Sequence, residues 1–321
     1  MKKLNKVILF VVTVVLSVTA LSACKKKENS TKVFADKISV VATIFPEYDF
    51  LRQIGGEHIN LTMLLPPGAE SHSFEPTPQD IKAITKSNMF VYVGGDSDAW
   101  VDSILDSIDT KNTKVVTLMD CVSLVEEKTV DGMTPEEKDG EDSDEVEYDE
   151  HVWTSPKNTI LIVQKLCDNL CQIDQDNAGD YKQNTKDYID KLTNLDQKFQ
   201  NVVDNAKRKE IVVGDRFPFR YFVDEYGLTY YAAFPGCSTD TEASAATIAF
   251  LDDKINKDNI PIVFHIELSN EKVCDAICEA TGAKSELLNA VHNVSKSDFN
   301  AGITYIDLME HNVEVLKEAL N

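Results

Sequence analysis

The sequence predicts an α/β fold: two parallel-sheet α/β lobes linked by one long backbone helix. Short apolar runs alternate with helical stretches from Ile38 to Leu118, and the alternation resumes at Ile211, the pattern of parallel sheets covered by helices. Between the two series, Tyr181, Thr185, Tyr188, Leu192, Leu195, Phe199, Val202 and Ala206 recur at alternating steps of four and three. That stripe is about 40 Å long at 1.5 Å per residue. A dimeric coiled coil would show the same stripe, but the α/β alternation restarts directly after it. A single helix packed on both lobes of a monomer is therefore expected.

The N-terminus sets the compartment. Lys2, Lys3 and Lys6 form a basic region, Val7 to Ala20 an apolar core, and Leu21-Ser22-Ala23-Cys24 a small-residue cleavage site. The core falls short of the ~20 apolar residues that a mature membrane-spanning helix needs. Residues 1–24 are read as a signal peptide; the LSAC box resembles a bacterial lipoprotein signal, which makes Cys24 the lipidated first residue. An ordinary secretory signal with an incidental cysteine is the alternative. Residues 25–36 are polar and lysine-rich, a tether from the outer face of the cell membrane to the folded body.

The N-terminal lobe is expected over residues 37–176. Ile38 to Thr43 reads as a buried strand, Phe45 to Ile54 as a helix ended by Gly55-Gly56, and Ile59 to Leu65 as a second strand. After the loop around His72, Thr77 caps a helix with Pro78 at its first position and Asp80 in its first turn, where the helix dipole favours an anion. Met89 to Val93 and Val115 to Leu118 are further strands, separated by a helix marked by Trp100, Ile104 and Ile108. Ser155 and Pro156 repeat the cap-and-proline start, so His151 stands just before a helix as His72 does. The linker helix is placed at 177–209 and the C-terminal lobe at 210–321. That lobe reads as strands at Ile211 to Gly214, Thr229 to Ala233, Ile262 to Ile266 and, weakly, Ser285 to Val291. Helices are expected at Pro218 to Tyr226, Glu242 to Lys254, Asn270 to Thr281 and Ile303 to Leu320.

Charge narrows the partners. The chain carries 54 acidic and 32 basic residues, a net charge of -22; a phosphate backbone would be repelled and cations attracted. No nucleic-acid partner is expected. Residues 126–150 hold 13 of the acidic residues, two basic ones and few apolar ones, the composition of a mobile loop. Cys167 and Cys171, like Cys274 and Cys278, are four apart on expected helices and read as buried free thiols, with a thiolate metal site as the alternative.

Ligands of open parallel sheets bind beyond the carboxyl ends of the strands. His72, His151, Asp215, Glu267 and His292 all fall there. Imidazoles with a carboxylate nearby suit zinc, whereas manganese prefers more oxygen. His58 and His311 have no ligand-like companions, and His265 alternates away from the neighbours of Glu267.

The segments PPGAESHSFEPTPQDI, DEHVWTSP and RYFVDEYGL, with the long helix, resemble the metal-binding receptors of ABC importers for zinc or manganese. The resemblance runs from about Ile38 to the C-terminus. It implies that His72 and His151 supply ligands from the first lobe and that an ABC permease is the partner. The family's third ligand position falls on Arg216, whose guanidinium cannot coordinate a cation, and the usual late acidic ligand falls on His292. A three-imidazole site of His72, His151 and His292 is expected, completed by water or by Glu267 or Asp215; Glu267 could instead support a ligand histidine. A zinc-dependent hydrolase is the competing reading, but no His-Glu-x-x-His helix, nucleophile elbow or general base is present. Nothing in the residues argues for adhesion.

Overall fold

Two four-stranded sheets, both wholly parallel, carry the computed structural model, which describes residues 37–134, 146–238 and 242–321. The signal peptide, Cys24, the 25–36 tether and the centre of the acidic loop lie outside the described residues.

In the first lobe, β1 (Ile38–Ala42), β2 (Ile59–Met63), β3 (Met89–Tyr92) and β4 (Lys114–Thr117) lie in the order β2-β1-β3-β4. Ile38 registers with Ile59, and Val40 with Met89. Helices α1 (Phe45–Gly55), α2 (Pro78–Lys86) and α3 (Ala99–Ser107) connect these strands, followed by α4 (Pro156–Ile173) and the 27-residue α5 (Ala178–Asp204). In the second lobe, β5 (Glu210–Phe217), β6 (Thr229–Pro235), β7 (Ile262–His265) and β8 (Lys284–Leu287) repeat the arrangement as β6-β5-β7-β8. Its helices are α6 (Arg220–Tyr226), α7 (Ala245–Asp258), α8 (Lys272–Thr281), α9 (Lys296–Ala301) and α10 (Tyr305–Ala319).

Strand alternation sorts the core into layers. Val40, Ala42 and Val91 face one side of the first sheet, where they join Phe50 and Leu51 of α1, Leu166 of α4 and Leu192 of α5. Val41 and Phe90 face the other side, against Ile84 of α2 and Val101 of α3. The second sheet does the same, with Val213 turned toward α5 and Val212 toward Leu251 of α7 and Ile277 of α8. The buried stripe of α5 is Tyr181, Thr185, Tyr188, Leu192, Leu195, Phe199, Val202 and Val203. One apolar cluster therefore runs from the first sheet through α5 to the second sheet and Tyr305 of α10.

The local start signals act as their chemistry dictates. The Thr77 side chain accepts from Asp80 N at 3.3 Å while Asp80 Oδ2 accepts from Thr77 N at 2.8 Å, and Ser155 Oγ accepts from Asn158 N at 3.3 Å. Three expectations need correction. β5 runs past Gly214 to Phe217, because Arg216 and Phe217 resume pairing with Phe234 and Pro235 after a register shift. The last strand stops at Leu287, and α9 precedes the final helix. The acidic stretch is not uniformly a loose loop: Glu126 pairs with Tyr148, Asp149 and Glu150 are buried, and Thr134 N donates to Ala233 O of the second lobe at 3.0 Å.

Candidate metal centre

Three imidazoles meet between the lobes. His72 comes from the loop after β2, His151 from the approach to α4, and His292 from the segment after β8; one ligand atom of each lies within 4.8 Å of the others. Ring centroids are 5.7 Å apart for His72 and His151, 5.2 Å for His72 and His292, and 4.9 Å for His151 and His292. In each lobe the strand order reverses between the first and third strands, where a parallel sheet opens a crevice at its carboxyl edge.

Two of the rings are held from behind by a carboxylate. Asp149 Oδ1 accepts from His151 N at 2.8 Å and lies 3.1 Å from His151 Nδ1. Glu267 Oε1 accepts from His292 N at 2.7 Å and lies 3.1 Å from His292 Nδ1, while Glu267 Oε2 accepts from Ala290 N at 2.7 Å. Such partners fix which nitrogen faces forward. Nε2 of His151 and of His292 are both buried and have no hydrogen-bond partner among the described residues. A buried ring nitrogen without a partner costs free energy, and coordination of a cation would satisfy both. His72 differs: its Nδ1 lies 3.3 Å from Ser71 Oγ and 3.4 Å from Ser97 Oγ, and its Nε2 lies 3.4 Å from Gly236 O.

Backbone geometry sets His292. Val291 has φ of +66°, a left-handed conformation that is strained for a β-branched residue. Phe45 N donates to His292 O at 3.2 Å, and Asn293 Nδ2 donates to Pro66 O at 2.8 Å and Ala69 O at 2.9 Å. The loops bearing His72 and His292 are thus tied together across the lobes.

The remaining candidates separate. Glu267 stands behind His292. Asp215 is outside the cluster: its Oδ1 accepts from Arg216 N at 2.8 Å and its Oδ2 from Ile266 N at 3.5 Å. Arg216 Nη1 reaches Glu70 Oε1 at 3.2 Å and Ser238 O at 3.4 Å. His265 Nδ1 lies 3.0 Å from Ser285 Oγ, away from the cluster.

Electrostatics divide the three rings. Burial, then the charges of His292, Arg216 and His151, push His72 down to about 3. Burial, His151 and Arg216 likewise hold His292 well below the usual imidazole range. Burial also opposes charge on His151, but Asp149, Glu150 and Glu127 outweigh it and raise its pKa. Two rings are therefore neutral at physiological pH, with lone pairs ready to coordinate, and His151 holds its proton more firmly.

Four residues around His151 escaped the reading of the sequence. Asp149 had one local signal, its place two residues before a candidate ligand. Glu150 is buried, accepting from Ser97 N at 3.1 Å and from Ser97 Oγ. Glu127 Oε1 accepts from Gly236 N at 2.7 Å and from Cys237 N at 3.4 Å. Burial, then Glu150, Glu127 and Asp149, raise the Cys237 thiol well above its ordinary pKa.

Comparison with known proteins gives a concordant result. Residues 40–319 match the family described as zinc-uptake complex component A, periplasmic (ZnuA). The chain is 32% identical over 312 residues to the high-affinity zinc uptake system protein ZnuA of Bacillus subtilis, covering 97% of each. It is 30% identical over 301 residues to the zinc-binding lipoprotein AdcA of Streptococcus pneumoniae, covering 93% of this chain but 58% of that protein, so it spans little more than half of that relative's length. Among solved structures, the metal-dependent lipoprotein YcdH of Bacillus subtilis superposes with a TM-score of 0.75 at 31% identity, covering 89% of this chain and all of that one. The Zn(II)-bound ZnuA-like domain of pneumococcal AdcA superposes with a TM-score of 0.73 at 29% identity, covering 88% and 99%. The chain belongs to the family of zinc-uptake complex component A, whose members are metal-binding components of transport systems rather than enzymes.

Proposed function

We propose that this protein captures a divalent transition metal, zinc, between its lobes on His72, His151 and His292 and delivers it to the permease of an ABC importer. The observation that carries the reading is the convergence of three imidazole ligand atoms within 4.8 Å, with the buried Nε2 atoms of His151 and His292 lacking a partner among the described residues. Three nitrogens plus water make a four-coordinate zinc site, whereas manganese calls for more oxygen. Asp149 and Glu267 orient two of the rings, so neither carboxylate is itself a ligand. The net charge of -22 draws the cation in. Release begins with a small shift of the segment bearing His292, which removes one imidazole from the set.

Lipidation at Cys24 holds the receptor, as a monomer, on the outer face of the cell membrane beside its permease. Residues 37–176 and 210–321 act as the two jaws, with 177–209 joining them.

The test is a competition titration of the full chain, purified in detergent, with Zn2+ and Mn2+. One zinc per chain, bound more tightly than manganese, is expected; no binding of either ion refutes the receptor reading.

A further inference from the structure

A second group of donors shares His151. Ligand atoms of Glu150, His151 and Cys237 lie within 4.8 Å of one another. His151 Nδ1 faces Asp149, which leaves Nε2, fully buried and without a partner among the described residues, as its one coordinating atom. A single nitrogen lone pair binds one ion at a time, so the two groups cannot both be filled through His151. They are alternative positions for one ion.

The second group is held as firmly as the first. Both oxygens of Glu150 accept from Ser97, through its N–H at 3.1 Å and its hydroxyl. Glu127 Oε1 fixes the Cys237 loop through the N–H groups of Gly236 and Cys237. Glycine at 236 favours this close approach: a Cβ there would stand 3.0 Å from Phe217 O, 3.1 Å from His151 Cε1 and 3.3 Å from Asp149 Oδ2, tighter than ordinary van der Waals contact. Glu127 Oε2 and Asp149 Oδ2 are also buried without a partner among the described residues, so carboxylate oxygens gather here without a matching donor among them. A cation supplies what is missing.

We propose that Glu150, His151 and Cys237 form a second seat for the captured metal, reached by pivoting about His151 Nε2 from the three-imidazole seat. Sulfur, nitrogen and oxygen are all zinc donors, and the thiol proton passes to solvent as the ion enters. When His292 withdraws, the ion is retained by Cys237 and Glu150 until it leaves the protein. This inference rests on the receptor reading above.

Co2+ is the probe, because a thiolate ligand gives a near-ultraviolet charge-transfer absorption that imidazoles do not. The full chain in detergent is titrated as wild type, as His292→Ala and as His292→Ala/Cys237→Ser, and alkylation of Cys237 by iodoacetamide is followed by mass spectrometry. His292→Ala is expected to bind one Co2+ with the thiolate band and to shield Cys237 from alkylation. Adding Cys237→Ser should abolish the band and weaken binding by about tenfold or more. Cobalt bound by His292→Ala without a thiolate band, or with equal affinity when residue 237 is serine, overturns the second seat. A wild-type chain that binds neither Co2+ nor Zn2+ overturns the receptor reading itself, whereas binding by wild type alone overturns only the seat. Should His292→Ala fail to fold, His72→Ala dismantles the first seat from the other lobe and is judged by the same outcomes.

Discussion

Arg216 of the second lobe and Glu70 of the first form an ion pair across the cleft, with Nη1 3.2 Å from Oε1. Burial alone would raise the Glu70 pKa, but the hydrogen bond and charge of Arg216 lower it to about 2. The pair does more than join the lobes. Arg216 also places positive charge near His72 and His292, which opposes an arriving cation. Arg216→Gln is therefore expected to raise zinc affinity and Glu70→Gln to lower it, each by about fivefold, or ~1 kcal/mol. Competition titrations with a chromogenic chelator measure both, and shifts of the same sign would refute the electrostatic account.

The ligand histidines should differ sharply from their neighbours. His292→Ala is expected to weaken zinc binding on the order of 100-fold or more, while His265→Ala, whose ring faces Ser285, leaves it unchanged. Calorimetric titration of the two variants gives the comparison.

The carboxylates behind the rings should show graded effects. Asp149→Asn and Glu267→Gln keep the side-chain shape but weaken the acceptor facing each Nδ1. Each is expected to cost about 10- to 100-fold in zinc affinity, with circular dichroism confirming an intact fold.

Zinc binding should compete with protonation of His151. The His151 pKa is raised by its carboxylate neighbours against the effect of burial, so its proton must leave before Nε2 can coordinate. Affinity then rises with pH through the His151 titration and levels off above it, while His72, lowered to about 3, contributes no slope there. Calorimetry in buffers of different ionisation enthalpy, repeated across pH, should show protons released with zinc at the acid end and fewer as pH rises. Asp149→Asn lowers the number released.

Glu47 offers a test of stability away from the metal. It is fully buried, its Oε2 has no partner among the described residues, and burial, with Asp98 adding repulsion, raises its pKa from 4.5 to about 8. The folded protein keeps this proton between those values while the unfolded chain loses it, so stability falls as pH rises through the interval. Glu47→Gln removes the penalty. Its melting temperature in the metal-free protein should exceed wild type by roughly 5–10 °C at pH 9 and match it near pH 4.

What could be read from the sequence was local. Thr77-Pro78 and Ser155-Pro156 declare helix starts by themselves, and the α5 stripe by its spacing, so His72 and His151 could be placed at strand or helix ends without coordinates. The partnership of Asp149 with His151 lay two residues away and was legible in principle. Glu127 and Cys237 were not, because they meet across 110 positions of sequence. Charge patterning marked residues 126–150 as solvated, yet the ends of that run are folded into the centre: burial there is offset by hydrogen bonds from Ser97, Gly236 and Tyr221. The last strand was overextended because Val291 looks β-prone, whereas the chain turns there at positive φ to present His292.

The apolar cluster that runs unbroken from Val40 through Leu192 to Val213 and Tyr305 has a thermodynamic consequence. Neither sheet can lose its inner layer without stripping α5 from the other, so the lobes share one cooperative fate. Residues 38–321 should melt in a single calorimetric transition with equal van't Hoff and calorimetric enthalpies, and either lobe expressed alone would be a fragment rather than a domain.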